Sequence, residues 1–451
     1  MKVIVLGTNH AGTVAVRTLK RLNPNWEIVT YDKSDVISFL GCGIALWVKG
    51  DCKDPKGLFY ASSELLAEEG IIVKAQHEWI NIDKTKKEVT IKNLQTGEEF
   101  IDKYDKLIVS TGTWPVIPPI LGIDLPGVQI CKNYAHAQSI HDANLNPKIK
   151  NITVVGAGYI GVELAEAFTA YGKKVTLIDV SDRIMPNYFD EKLTKLMEDR
   201  MVRDGVSMAL NQKVVEFKGK DKVDVVVTDK GEIKTDYVVF SVGVKPQTEA
   251  LKGKVDLDNH GAIITNDYCQ TSDKDIYAIG DCSTVFNVAT KKTAPIQLAT
   301  TAVRTGIVAA INISSNNTLK APGFTGANGI SVFGFNMAAA GISETYAKSV
   351  GIEVESIEFT DNDRPEFMEK YKQVWIKLIW EKKSRRIVGA QVASENNHTE
   401  VMYMFALAIQ KEMVIDEIPL IDIFFLPHFN KPYNFITLAG LEVLGLNFFK
   451  K

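Results

Sequence analysis

Apolar residues fall in short runs that end at glycine, and the order run, glycine turn, helix occurs twice. Residues 2–6 form a strand-length apolar run closed by GTNHAG, and residues 151–163, NITVVGAGYIGVE, repeat that order with an apolar helix beyond the last glycine. A strand that turns at once into a helix calls for glycine, because the backbone passes too close to its neighbours for a side chain. Residues 26–31 and 174–178 then read as the second strand of each copy, closed by Asp32 and Asp179. Runs at 88–91 and 106–110 add strands to the first copy, and the proline-rich stretch 115–119 marks a crossover. The segment TSDKDIYAIGDC resumes an apolar strand ending at Gly280 and Asp281. From about residue 325 the pattern turns to strands such as 373–380 and 387–394, followed by an apolar helix over 401–411. The whole predicts an α/β fold: two Rossmann-like dinucleotide-binding domains plus a C-terminal α+β module with no nucleotide signal, for which subunit pairing is the expected use.

Each glycine turn has a chemical meaning. The first amides of the following helix, at the positive end of its dipole, can face a pyrophosphate. A carboxylate closing the next strand can accept hydrogen bonds from ribose hydroxyls. In the first copy Gly7 and Gly12 hold the first and third glycine places while Asn9 stands at the second, and Asp32 follows 20 residues after Gly12. In the second copy Gly156, Gly158 and Gly161 hold all three places and Asp179 is the acid. Asp179 favours NADH, since it would repel the extra phosphate of NADPH, and Arg183 is near enough in sequence to soften that preference. The Gly280–Asp281 strand end can aim a carboxylate at a sugar hydroxyl; it is also a common way for a strand to stop.

Composition narrows the class. The chain of 451 residues, 45% apolar and 24% charged, suits three domains of ordinary size in water. A net charge of −3 gives no reason to expect nucleic acid, and the charged run 381–386 reads as a solvated turn. The apolar start is too short for a signal-peptide core, and no stretch approaches the length that crosses a membrane. The cysteines, at 42, 52, 131, 269 and 282, are odd in number and scattered, which argues against a disulfide scaffold or a metal cluster and fits a reducing cytoplasm.

Cys42 stands in SFLGCG, and five positions later the chain has Trp47, so no cysteine pair forms at that spacing; Cys52, ten residues on, does not restore it. Two readings stay open from the residues. A free cysteine is commonly a buried, inert side chain. A thiol at a helix start can instead be held as a thiolate by the helix dipole and be oxidised reversibly to a sulfenic acid.

The segments GTNHAG, SFLGCG, VSTGTWP, VVGAGYIGVELAEAF, IYAIGDC and FFLPHFNKPYNF occur in this order. With them nearly the whole chain resembles the single-cysteine branch of the pyridine nucleotide-disulfide oxidoreductases, and within that branch it looks most like the water-forming NADH oxidases. The resemblance implies an FAD-binding domain in two pieces, 1–118 and 246–324, an NADH-binding domain over 119–245, and a dimerisation domain over 325–451 that makes a homodimer. It implies FAD held at Gly7, Asn9, Gly12, Asp32, Thr111, Gly112 and Asp281. It implies NADH held at Gly156, Gly158, Gly161 and Asp179, with Tyr159 shielding the flavin until nicotinamide displaces it. His10 matches a histidine beside the redox cysteine that can hydrogen-bond to peroxide, or it merely caps the loop. The resemblance also implies that the C-terminal module of one subunit lies at the other's flavin, which would let His428 and Phe425 line a shared site.

The activity so implied is an NADH:oxygen oxidoreductase with NADH and dioxygen as substrates, forming water through the flavin and a thiolate/sulfenic acid cycle at Cys42. Three alternatives stand beside it. An NADH peroxidase would start from hydrogen peroxide. A coenzyme A-disulfide or polysulfide reductase would pass through a mixed disulfide at Cys42 and use a basic groove for the coenzyme's phosphates, and no compact basic cluster lies near the loop. A flavin-binding redox sensor would turn over slowly and keep a stable sulfenate.

Overall fold

The computed structural model describes residues 1–446. Its first sheet is five-stranded and parallel, in the order Ile276–Ala278, Lys106–Val109, Lys2–Leu6, Glu27–Asp32, Ile72–Ala75. Val3 to Leu6 are fully buried because helices and loops cover both faces of a parallel sheet, which is why they read as an unbroken apolar run. The helix His10–Leu22 packs along Ala299–Ser315 so closely that a Cβ at Gly306 would meet the backbone of Ala11. Segments from both sides of the second glycine signal thus complete one layer.

The second sheet repeats the plan with Ser207–Ala209, Lys174–Ile178, Asn151–Val155, Tyr237–Phe240 and Val128–Ile130, again all parallel. The chain passes between the two sheets along paired strands, Thr113–Pro115 against Val244–Pro246. The third sheet is antiparallel, ordered Asn328–Val332, Phe335–Gly341, Ile387–Ser394, Gln373–Glu381, Val354–Asn362, with the helices Val401–Gln410 and Phe435–Val443 packed on it. Every residue of Ile387–Ser394 is buried, as its central place in the sheet demands. The predicted combination of two Rossmann-like units with an α+β module is therefore the observed fold.

The largest apolar cluster does not respect the three units. It joins Ile44, Trp47 and Val48 after the cysteine to Ala165 and Phe168 of the second unit and to Ile330 and Val332 of the third. Among the described residues no helix is long and apolar enough to cross a membrane, and no His/Cys/Asp/Glu group is placed to hold a metal ion.

One sequence expectation is corrected here. The charged run 381–386 is a solvated turn only over residues 382–384, which turn and are exposed: Arg386 is buried and donates to the carbonyls of Val288 at 3.1 Å and Ala289 at 2.8 Å, while Arg385 makes two 2.6 Å bonds to Asp416. A guanidinium can be buried when its planar fork finds fixed acceptors, and these carbonyls lie about a hundred residues away, out of reach of local charge patterning. Replacing Arg386→Met leaves two buried carbonyls without their donor and should lower stability by about 2 kcal/mol or more. A drop of several degrees in the thermal midpoint is the expected readout, and an unchanged midpoint would refute the clasp.

Candidate active site

Both glycine turns are built alike. Gly7 and Gly156 have φ of +97° and +107°, and a Cβ on either would overlap the carbonyl of Ser110 or Ser241. A Cβ on Gly12 or Gly161 would overlap the carbonyl oxygen of Gly7 or Gly156, so each helix begins tight against its own turn. Nothing lies within 4 Å of a Cβ built on Gly158, which leaves that turn open on its outer side. Neither helix, His10–Leu22 after Asn9 nor Tyr159–Ala170 after Gly158, has a side-chain cap. Their leading amides are left to an outside anion, so the residues fit a pyrophosphate at each turn.

The two acids repeat the likeness. Asp32 accepts from the amides of Thr8 at 2.6 Å and Ser34 at 2.9 Å, and Asp179 from those of Ala157 at 2.6 Å and Ser181 at 2.7 Å. Each carboxylate is fixed where its strand ends, the place a ribose would present its hydroxyls. Burial pushes the Asp32 carboxyl up, and those two amides hold it down. Arg183 is turned away to the carbonyl of Pro186 at 3.3 Å.

Thr111 and Gly112 are locked to Gln247: the Thr111 hydroxyl donates to the Gln247 carbonyl at 2.8 Å, and the Gln247 amide donates to the Gly112 carbonyl at 3.0 Å. Asp281 sits in the turn Gly280–Cys282 that follows the strand, where burial pushes its carboxyl up against the pull of Lys132.

Cys42 lies in the turn Gly41–Gly43, directly before the six-residue helix Ile44–Lys49. It is exposed as a residue, yet protein on its other sides desolvates the thiol. The expected lowering of its pKa by the helix start is corrected: burial, then Glu163 and Asp281, push it up, and only Lys132 and the residue's own amide act the other way. A helix this short adds little field beyond its first amides. Trp47, at the place a second cysteine would take, is buried and stacks on Tyr134 at 5.5 Å and His141 at 4.7 Å. That position is core, closed to disulfide chemistry.

His10 opens its helix with Nε2 buried and without a hydrogen-bond partner, its ring 5.6 Å from that of Tyr60. Burial, with Lys132 adding to it, lowers its pKa, so the neutral imidazole is favoured. Burial, and after it the charge of Cys42, raises the pKa of the Tyr60 hydroxyl, so Tyr60 contacts one expected catalytic residue and senses the other. Tyr159 is backed by Tyr188, ring to ring at 4.8 Å and nearly perpendicular, and its hydroxyl donates to Asn328 Oδ1 at 2.6 Å. His428 and Phe425 lie exposed on the C-terminal module beside the exposed Phe424 and Leu426.

Sequence reasoning missed Lys132, Tyr60 and Glu163. Lys132 Nζ is held by the Thr113 hydroxyl at 3.1 Å; burial lowers its pKa while Asp281, Cys42 and Cys131 raise it. Glu163 is pushed up to about 7, by burial and then by Glu166. Its only sequence signal was a place one helical turn after Tyr159; Lys132 had none.

Comparison with known proteins agrees with this geometry. Residues 1–306 match the family model described as pyridine nucleotide-disulphide oxidoreductase, and residues 328–433 match that family's dimerisation domain. A Streptococcus pyogenes NADH oxidase is 43% identical over 98% of this chain and 99% of its own. An Enterococcus faecalis NADH oxidase is 42% identical over 98% and 99%. The solved structure of a water-forming NADH oxidase from Lactobacillus brevis bound to NADH superposes with a TM-score of 0.95 at 39% identity, covering 99% of this chain and 98% of that one.

Opposed charges on one thiol make a signed test. Lys132→Met should shift the pH midpoint of Cys42 alkylation upward, and Glu163→Gln should shift it downward, with the modified site read by peptide mass spectrometry. Shifts of the same sign, or none, would show that these groups do not govern the thiol. Asp179→Ala should narrow the preference for NADH over NADPH by about tenfold or more, measured as the ratio of kcat/KM values; an unchanged ratio would remove Asp179 from the ribose site.

Proposed function

The chain belongs to the pyridine nucleotide-disulphide oxidoreductase family, and from that premise we propose that it is an FAD-dependent NADH oxidase that reduces dioxygen to water. The observation that carries the reading is the lone thiol of Cys42, with Trp47 packed where a disulfide partner would stand and Lys132 as the nearby positive charge. Disulfide exchange within the chain is closed to it, and oxidation by peroxide is open.

FAD is held in this reading by Gly7, Asn9, Gly12, Asp32, Thr111, Gly112 and Asp281, and NADH by Gly156, Gly158, Gly161, Asp179 and the displaced Tyr159. Bound there, FAD would supply the redox chemistry that side chains lack, accepting hydride equivalents from NADH and making them available to dioxygen. The FAD-binding domain comprises 1–118 and 246–324, the NADH-binding domain 119–245, and the dimerisation domain the remainder. The working form is a cytoplasmic homodimer in which His428 and Phe425 approach the partner's site.

Cys42 completes the reaction. Its thiolate attacks one oxygen of hydrogen peroxide; an S–O bond forms, the O–O bond breaks, and the departing hydroxide takes a proton to leave as water. Neutral His10, with Nε2 free, can hydrogen-bond the peroxide and donate to the leaving oxygen. Lys132 stabilises the thiolate that attacks and is regenerated. A second NADH supplies the two electrons and the proton that reduce the sulfenic acid: the S–O bond breaks, its oxygen leaves as the second water, and the thiolate of Cys42 is restored.

The four-electron balance sets the test: the enzyme should consume about two NADH per dioxygen without accumulating peroxide, and Cys42→Ser about one NADH per dioxygen with peroxide released in equal amount. Peroxide accumulating with the unmodified enzyme would overturn the thiol step. Reduction of a coenzyme A disulfide with dioxygen untouched would replace the oxidase by a disulfide reductase, and turnover with peroxide alone would make it a peroxidase.

A further inference from the structure

We propose that Asn328 is the latch that keeps Tyr159 closed over the flavin site, so that the C-terminal domain sets how readily NADH gains entry. The inference rests on the functional reading above, in which Tyr159 must move aside for nicotinamide.

The geometry of the bond is directional. Asn328 Nδ2 donates to the carbonyl of Gly326 at 2.7 Å, which turns Oδ1 toward the tyrosine and makes the Tyr159 hydroxyl the donor at 2.6 Å. The asparagine cannot swing freely, because it opens the strand Asn328–Val332 and is paired with Ala339 across the sheet. The ring is held from behind by Tyr188, and burial keeps the Tyr159 hydroxyl in its protonated, donating form.

The latch has a rigid base. Seven residues along the same helix, Glu166 accepts from the amide of Phe333 at 2.6 Å, in the turn of the hairpin that begins with Asn328. Helix and hairpin are fastened twice, so displacement of Tyr159 must break the hydroxyl bond without carrying Asn328 along. The half-buried Asn328 oxygen and the Tyr159 hydroxyl then lose each other. A net hydrogen bond of ordinary strength corresponds to about 2- to 10-fold in the closed-to-open ratio. An apparent affinity that depends on the open fraction is weakened by the same factor.

The test is anaerobic stopped-flow reduction of the FAD-loaded enzyme by NADH, comparing the unmodified protein with Asn328→Ala, Tyr159→Phe and the double variant. Each single change should lower the apparent Kd for NADH about 2- to 10-fold, and the double variant should gain little beyond either single one, since both remove the same bond. Tyr159→Phe deletes one oxygen and keeps the ring, so the test stands even if Asn328→Ala folds poorly. A Kd unchanged by Tyr159→Phe, or effects that simply add, would overturn the latch while leaving the oxidase reading intact. Failure of the unmodified enzyme to hold FAD or to be reduced by NADH would overturn that reading, and the latch with it.

Discussion

The packing of the helix Tyr159–Ala170 against the helix Ile44–Lys49 is the contact on which the rest of the structure depends. Gly161 sets the position of the first helix, because any Cβ there would overlap the turn, and so its leading amides stay at the pyrophosphate place. Its next turns then point the other way. Glu163 acts on the Cys42 thiol, while Glu166 binds Lys49 at 3.2 Å and the Phe333 amide at 2.6 Å. One element therefore joins a nucleotide turn, the cysteine segment and the C-terminal hairpin, and a shared apolar cluster keeps all three in register.

That arrangement explains why the thiol is balanced instead of simply activated. Burial and the carboxylates of Glu163 and Asp281 favour the neutral thiol, and Lys132 favours the thiolate. With Glu163 pushed up to about 7, its charge changes near neutral pH: below that value it is protonated and stops opposing the thiolate, and above it the opposition returns. The reactive state of Cys42 is set by burial and three neighbouring charged groups, and none of the three belongs to its own helix.

Much of the fold was legible because its signals are local. A glycine whose Cβ would strike its own turn, a strand buried on both faces and a carboxylate at a strand end leave marks within about thirty residues, and Gly7, Gly161, Asp32 and Asp179 all stand where the pattern placed them. The missed residues act across the chain. Lys132 lies far from Cys42 and carries no motif, Asn328 reaches Tyr159 across 169 positions, and the acceptors of Arg386 lie 97 and 98 residues away. Local periodicity cannot register such pairs, since only the folded core brings them together. The helix-dipole expectation for Cys42 failed for a related reason: desolvation and distant carboxylates are invisible in the six residues that follow it.

The central claim is that one sulfur carries oxygen chemistry while the other cysteines stand aside. Cys131, Cys269 and Cys282 are buried away from any oxidant, whereas Cys42 is exposed and has Lys132 near enough to favour its thiolate, so among these four oxidation should fall on Cys42. The most direct measurement is trapping with a sulfenic-acid-specific dione during aerobic turnover with NADH, followed by peptide mass spectrometry. The account expects the adduct on Cys42 and on no other cysteine. An enzyme that turns over dioxygen fully with Cys42 never trapped, or with the adduct on Cys52 instead, would contradict it.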